Sequence, residues 1–305
     1  MYGLLVAPFV DVDFMRRALA GLLALSLGAT PMGVFLLLRR MSLMGDAMSH
    51  AILPGAALGY LASGLSLGVM TAGGIAAGLL VVFAAGLVAR ASNLEEDASL
   101  AAFYLLSLAA GITIVSLSGH DVDLMHVLFG SVMTLGDDAL LLIAAISSLS
   151  LAGLALLFRP LALECFDSAF LRGHGRYASP VAYYGFMILV VFDLVAGFHS
   201  LGTLMAVGIM ILPAASARLW TRNLAPMLAL AAALAFVCGV AGLLLSYHAG
   251  HGALEVEHEH GASEIDPAGA AIVLVCGLVY FASLLAAPGG LLAQRWLARR
   301  KHLSS

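Results

Sequence analysis

Charged residues are scarce in this chain. Its 305 residues include 14 Lys and Arg and 18 Asp and Glu, or 10% charged. Soluble globular proteins carry about 25% charged and roughly 45–50% apolar residues, whereas this chain is 62% hydrophobic with a mean hydropathy of +1.04. This composition excludes a soluble enzyme, a nucleic-acid-binding protein and a disordered chain. The sequence therefore predicts a polytopic membrane protein.

Cysteine and lysine are also rare. Cys165, Cys238 and Cys276 are too few and too scattered for a disulfide framework or a zinc ribbon. The single lysine, Lys301, excludes a GxxxxGK[ST] phosphate loop and with it a standard P-loop ATPase site. A nucleophile elbow and an HExxH motif are absent as well. We therefore expect a non-enzymatic protein with no permanently bound cofactor and, since a basic leader is lacking, no removable signal peptide.

Long apolar runs fill most of the sequence. A membrane helix needs about 20 largely apolar residues to cross a hydrocarbon core of about 30 Å. Nine runs qualify, at 18–38, 44–63, 67–89, 98–117, 138–158, 180–198, 201–219, 226–247 and 268–287. Only two residues separate the runs at 180–198 and 201–219, so eight or nine true spans remain open. The expected fold is an all-α polytopic membrane protein with one transmembrane domain over residues 1–305.

The basic residues favour one orientation. If the N-terminus lies outside and all nine runs cross, twelve of the 14 Lys and Arg are cytoplasmic, and only Arg16 and Arg17 lie outside. Cytoplasmic loops of membrane proteins carry such an excess of basic residues. The sequence therefore predicts a cytoplasmic C-terminus and an outer face that is rich in acids and histidines, where cations would concentrate.

The segment 41–60, MSLMGDAMSHAILPGAALGY, contains the strongest candidate site. Asp46 and His50 are four residues apart, so on a helix they share one face. Ionisable residues within a span usually face the bundle interior or a water-filled path, and carboxylate plus imidazole suits zinc or manganese. Pro54 donates no N–H to the carbonyl of His50, which predicts a kink with a free carbonyl oxygen. Alternatively, Asp46 or Ser42 caps the helix and His50 is a hydrogen-bonded interior residue.

The extracytoplasmic loop expected at 248–266 is rich in imidazole and carboxylate groups. Such tracts bind divalent metals weakly and in many geometries. The candidate weak ligands are His248, His251, His258 and His260. A polar connector without a metal role is the alternative.

Two segments are candidates for docking a soluble partner. The residues after Pro213 predict a short amphipathic helix that carries Arg218, Trp220 and Arg222 to the cytoplasmic face. A helix that simply leaves the membrane at an arginine anchor would have the same sequence pattern. The stretch 159–178, which includes Asp167, is expected to be a second cytoplasmic contact.

Taken together, these residues resemble the permease subunits of bacterial ABC importers for zinc or manganese, often called ABC-3 permeases. The segment 39–60 matches the family's arginine, glycine–aspartate, histidine and glycine pattern, and 201–219 is similarly specific. Weaker matches lie at DLMHVLFGSVM (123–133), FDSAFLRGHG (166–175) and DPAGAAIVLVCGLVYF (266–281). The similarity spans nearly the whole chain, but the histidines from His248 to His260 depart from it, and we interpret them as an insertion.

The resemblance implies a type II ABC importer-like permease in the bacterial inner membrane. It implies that Asp46 and His50 contact the metal in the pathway, and that PAASARLWTRN lies where related importers place the helix that docks on the ATPase. The implied partners are a separate ABC ATPase subunit, an extracytoplasmic metal-binding protein, a second copy of the chain and membrane lipid, with no nucleic acid.

The sequence leaves the substrate open. The imidazole-rich insertion favours zinc, with manganese next, because borderline ligands accept both. A sister permease for a chelated metal or a cobalamin-like substrate is the first alternative, but such a substrate needs no direct Asp and His ligands. A secondary metal transporter driven by an ion gradient is the second, although the inverted repeats typical of that class are not visible.

Overall fold

The computed structural model of the chain describes residues 7–64, 66–92, 96–117, 135–166, 170, 173, 178–254, 268–288 and 290. These residues form ten main helices and no β-strand. In chain order the helices are α1 (Ala7–Asp11), α2 (Asp13–Leu38), α3 (Met44–Ser63), α4 (Leu67–Ala91), α5 (Glu96–Leu117), α6 (Asp137–Phe166), α7 (Ala178–Leu201), α8 (Thr203–Trp220), α9 (Leu224–Leu254) and α10 (Ala268–Ala286).

Each of the nine apolar runs is a helix, so the predicted all-α polytopic fold is confirmed. Eight helices of the described chain are long and apolar enough to cross a membrane. The ninth, α3, is 20 residues long but less apolar, because it contains the polar segment around Asp46 and His50. The count of eight or nine spans therefore depends on how this one helix is classified.

The closely spaced runs at 180–198 and 201–219 form two separate helices. Gly202 alone joins α7 to α8, with φ 87° and ψ 158°. This φ lies in the region that side chains with a Cβ rarely adopt, and glycine enters it freely. A single glycine thus suffices to change the direction of the chain between two long helices.

Two helices continue beyond the segments that the sequence predicted, since α6 passes through Pro160 to Phe166 and α9 runs on to Leu254. α8 is continuous through Pro213 and ends at Trp220, close to the predicted end at 219. The expected short amphipathic helix after Pro213 is therefore wrong as a separate element. Proline is tolerated within membrane helices because neighbouring groups compensate for the lost backbone hydrogen bond, so these prolines do not end their helices.

Helices α2 and α7 lie at the centre of the bundle. In each, 72% of the apolar span is buried within the chain, against 17–50% in the other six candidate spans. α2 packs against α6, α8 and α9, whereas α7 packs most closely against α6 and also contacts α4. α3 packs against α4 and α5 to one side of this centre.

Small residues allow α3 and α4 to approach closely. A Cβ placed on Gly55 would overlap the carbonyl oxygen of Gly73, and a Cβ on Gly73 would overlap the carbonyl oxygen of Gly55. Close backbone approach at small residues is a main source of helix association where lipid supplies no hydrophobic drive. This contact fixes the position of α3, the helix that carries the candidate site.

Two arginines and two tyrosines meet at one end of the bundle. The guanidinium of Arg39 lies 5.0 Å from the ring centroid of Tyr183, and that of Arg90 lies 4.8 Å from the ring centroid of Tyr184. Cations over aromatic faces at such distances are attracted by the ring quadrupole. The end of α2, the end of α4 and the start of α7 therefore lie at the same level, as the charge count predicted for cytoplasmic Arg39 and Arg90.

Candidate metal site

Asp46 and His50 lie one turn apart near the start of α3, on the same face. The Nε2 atom of His50 is 3.9 Å from Oδ1 of Asp46. The side chain of Asp46 is 69% exposed and that of His50 is 34% exposed, so Asp46 reaches the surface of the single chain. The predicted proximity of the two groups is therefore present, and they open onto a surface instead of being enclosed by this bundle.

The imidazole of His50 is oriented by its surroundings. Its ring stacks on Tyr104 of α5, with 6.4 Å between the centroids and 28° between the planes. The Nδ1 atom is buried and has no hydrogen-bond partner in the described chain, whereas Nε2 points towards Asp46. The nitrogen that faces the carboxylate is thus the one available for a ligand.

Backbone features of α3 add to the site. Pro54 lies inside the helix and contributes no N–H to the carbonyl of His50. The hydroxyl of Ser49 donates a 2.7 Å hydrogen bond to the carbonyl oxygen of Asp46. Ser49 therefore satisfies its hydroxyl within the helix and does not compete for the Asp46 carboxylate.

The described part of one chain brings together too few ligands to enclose a metal ion. No group of three or more His, Cys, Asp or Glu side chains converges anywhere in the described ranges. Structural zinc sites use four protein ligands and catalytic ones use three. The Asp46–His50 pair alone is therefore too small for either kind of site, and it is exposed.

The predicted docking residues have different environments. Arg218 Nη1 donates to the carbonyl oxygen of Leu37 at 3.4 Å, and Trp220 Nε1 donates to Oγ of Ser283 at 3.1 Å. These bonds attach the end of α8 to α2 and α10 within the same chain. Arg222 follows α8 and is exposed, while Asp167 lies outside the described residues.

The histidine-rich loop predicted at 248–266 begins later than expected, because α9 extends to Leu254. His248 and His251 belong to the end of α9 and not to a loop, and Nδ1 of His248 is 2.8 Å from the carbonyl oxygen of Leu244, one turn earlier. No proline interrupts residues 248–254, so the backbone hydrogen bonds of α9 can continue through Gly250 and Gly252 to Leu254. His258 and His260 lie outside the described residues.

Sequence analysis missed two residues that the structure brings out. Tyr104 gave no signal in the sequence, because its position against His50 depends on the packing of α5 beside α3. Asp193 in α7 was detectable as a lone acid in the apolar run at 180–198, and its side chain is 1% exposed.

The eight apolar helices of spanning length in the described ranges define a multi-pass membrane protein, and one further, more polar helix among them carries an Asp–His pair. Comparison with known proteins refines this class. The chain belongs to the ABC 3 transport family, whose model matches residues 11–287. The predicted family is thereby confirmed, and the chain is an ABC transporter permease of the bacterial inner membrane.

Individual relatives cover nearly the whole chain. It is 31% identical over 293 residues to the manganese import system permease protein ScaB of Streptococcus gordonii, which covers 95% of this chain and 96% of that protein. It is 30% identical to the manganese transport system membrane protein MntC of Halalkalibacterium halodurans, over 95% of this chain and 94% of that one. PsaBC from Streptococcus pneumoniae, solved in complex with Fab, matches with a TM-score of 0.78 at 27% identity, over 98% of this chain and 100% of that chain.

Proposed function

We propose that this permease carries divalent transition metal ions into the cell, with manganese as the first candidate. The observation that carries the proposal is the Asp46–His50 pair, whose Nε2 and Oδ1 atoms are 3.9 Å apart on one face of a membrane helix. Carboxylate and imidazole together suit borderline divalent ions such as manganese and zinc. A chelated metal or a cobalamin-like substrate would need a wide cavity and no such ligand pair.

A second copy of the chain completes the site. Asp46 is 69% exposed on the single chain, and a carboxylate exposed to lipid is costly, so its surface needs water or protein around it. Closed two-fold symmetry is the commonest arrangement of homo-oligomers. Two Asp–His pairs facing each other across such an axis would give up to four ligands, and each bond must remain labile for the metal to leave.

The choice of metal rests on two opposing arguments. The relatives ScaB and MntC are named for manganese, and this favours manganese for the present chain. Zinc is the second candidate, because the segment 248–266 is rich in imidazole. The zinc preference from the sequence stays a prediction, and its basis is the insertion alone.

ATP hydrolysis takes place on a separate subunit in this proposal, because the single lysine excludes a P-loop in this chain. Arg222 is the exposed cation just beyond the end of α8 and is the proposed contact to that subunit. We expect Arg222→Glu to weaken co-purification of the ATPase. Trp220→Phe is the matched comparison, since it removes the hydrogen bond from Trp220 to Ser283 within the same chain. Loss of this hydrogen bond should lower stability without selectively releasing the ATPase. Equal retention of the ATPase by both variants and the wild type would exclude Arg222 as a contact.

Transport in sealed vesicles tests the proposal. Vesicles that contain the chain and its ATPase partner should accumulate radioactive manganese only with ATP, and excess zinc should compete. Uptake by the lone chain driven by a proton gradient would instead identify a secondary transporter. Stronger uptake of zinc than of manganese at equal free concentration would reverse the order of the two metals.

A further inference from the structure

Helices α6 and α7 pack as an antiparallel seam in which large and small residues alternate. A Cβ on Gly185 would lie 2.8 Å from Cδ1 of Leu157, and a Cβ on Gly153 would lie 2.8 Å from Cδ2 of Leu189. In each contact, a leucine from the other helix thus occupies the space beside a glycine. Four residues separate successive contacts on α7 and four on α6, as expected for two helices whose facing residues recur about once per turn.

The next contact along this seam is polar. Asp193 follows Leu189 by one turn, and Ser150 precedes Gly153 by about one turn. Asp193 is 1% exposed and Ser150 is fully buried. Both carboxyl oxygens of Asp193 and the hydroxyl of Ser150 lack a hydrogen-bond partner in the described chain, although the hydroxyl faces the carboxyl. Two buried polar groups therefore face each other across the seam without a hydrogen bond of ordinary geometry.

This polar contact lies near the middle of the membrane. Asp193 follows Tyr183 by ten residues, and Tyr183 lies under Arg39 at the cytoplasmic level. Ten residues of helix rise about 15 Å, which is half of a hydrocarbon core of about 30 Å. From the other helix, Ser150 precedes Arg159 by nine residues, or about 13 Å. Both measures give the same depth.

No cation of the described residues compensates for a charge at this position. The ionisable residues on the described helices that pack against α7 are Asp13, Arg16 and Arg17 of α2 with Arg39 beyond its end, Asp46, His50 and Tyr60 of α3, Arg90 of α4, Asp137, Asp138, Arg159, Glu164 and Cys165 of α6, and Arg218 of α8. None of these forms an ion pair with Asp193 or interacts electrostatically with its carboxyl. Among the polar side chains that the structure describes, the carboxyl faces that of Ser150.

We propose that Asp193 binds a proton at the centre of the membrane and, as a neutral acid, pairs with Ser150 to hold α7 in register against α6. An unpaired carboxylate at this depth is costly, whereas a neutral carboxyl can donate its O–H to the serine oxygen and accept in return. A single polar contact in an apolar seam fixes helix register in the same way as a buried asparagine in a coiled coil.

This proton site is separate from the Asp46–His50 pair. Val191 and Val195 pack against Gly78 and Gly74 of α4, and Asp193 lies midway between the two valines in sequence. Residues two apart on a helix point to nearly opposite sides, at about 200°. Asp193 therefore faces away from α4. Helix α7 thus lies between the proton site and the helices that support the Asp46–His50 pair.

Infrared spectroscopy of the permease–ATPase complex in lipid nanodiscs tests the protonation directly and needs no transported metal. At about pH 7 the wild type should show the C=O stretch of a buried neutral carboxylic acid, and Asp193→Asn should remove it. Asp138→Asn, at an exposed carboxylate on α6, is the matched control and should leave the band in place. Identical spectra for the wild type and Asp193→Asn would overturn the proposal.

The pairing with Ser150 has its own readouts. Ser150→Ala should shift the neutral-acid band, whereas Ser148→Ala should not, because the Ser148 hydroxyl donates to the carbonyl oxygen of Ala144 in its own helix.

Asp193→Asn keeps a hydrogen-bonding group and should retain most metal uptake, but Asp193→Leu should lower uptake roughly threefold, the effect of one average interhelical hydrogen bond. Wild-type uptake by Asp193→Leu would exclude the positioning role. A wild-type complex that transports no metal but shows the band would contradict the proposed function and leave the proton site intact.

Discussion

The imidazole of His50 lies over the phenol ring of Tyr104, with centroids 6.4 Å apart and planes inclined by 28°. The two residues belong to α3 and α5, so this contact crosses the interface that supports the candidate metal site. Because Nδ1 of His50 has no hydrogen-bond partner in the part of the chain that is described, the stack is the contact that sets the direction of the ring. Tyr104 thereby supports the proposed metal site without being one of its proposed ligands.

Tyr104→Ala should weaken metal uptake by freeing the His50 ring. Aromatic pairs contribute about 0.5–1.5 kcal/mol, which corresponds to a roughly two- to tenfold rise in KM for the metal. The maximal rate should change less, because both ligands remain. Tyr104→Phe keeps the ring and should match the wild type. If Tyr104→Ala has the wild-type KM, the stack does not orient the ligand.

Asp46→Asn or His50→Ala should abolish uptake, since each leaves one ligand per chain. Insertion into the membrane should persist, because an Asp at a helix centre opposes insertion by about 2.5–3.5 kcal/mol and its removal cannot make insertion harder. Uptake, membrane content and ATPase co-purification would be measured together, with Asp138→Asn as the matched change of an exposed acid. Normal uptake by the double variant Asp46→Asn/His50→Ala would show that the pair is structural.

Gly55→Ala should destabilise the chain. The new Cβ would collide with the backbone of Gly73, and overpacking of this kind typically costs about 1–3 kcal/mol. Gly277→Ala in α10 is the control, because a Cβ there has no heavy atom within 4 Å and alanine favours helix over glycine by roughly 0.5–1 kcal/mol. Unfolding in mixed micelles should separate the two variants. Equal stability would mean that α3 and α4 can move apart freely.

The sequence predicted the helices well and their neighbours poorly. Apolar runs define spans because a membrane helix must satisfy its backbone internally, and the i, i+4 spacing of Asp46 and His50 placed them on one face. Tyr104 and Ser150 could not be assigned in this way, since their roles depend on which helices pack together. Asp193 alone carried a signal, as the single acid of an apolar run, but one acid does not form a ligand pair.

Deletion of residues 255–260 should depress uptake at scarce metal and leave the maximal rate unchanged. The deletion removes five candidate ligands and keeps α9 to its end at Leu254. The ligands removed are Glu255, Glu257, His258, Glu259 and His260. A weakly binding loop concentrates ions at the entrance, which matters only when metal limits the rate. Uptake curves over a range of free zinc and manganese would measure both parameters. A lower maximal rate at every concentration would place the segment in the gate, and an unchanged curve would remove the argument for zinc.

The helix ends were misplaced for a related reason. The predicted run at 138–158 ended before Arg159 and Pro160, and a separate short helix was expected after Pro213. Proline disrupts helices in water. Within an apolar bundle the alternative to a helix is an unsatisfied backbone, so α6 and α8 run through their prolines. The cost of an open backbone thus outweighs the cost of one missing hydrogen bond.

The single glycine between α7 and α8 also has a consequence for biogenesis. Helical hairpins are usually joined by about two to five residues, and Gly202 leaves no stretch of chain that can wait at the membrane surface while α8 is synthesised. We therefore expect residues 178–220 to leave the translocon as one unit. A ribosome-stalling reporter placed along this segment should record one broad pulling event, and two resolved events would show that the helices insert one after the other.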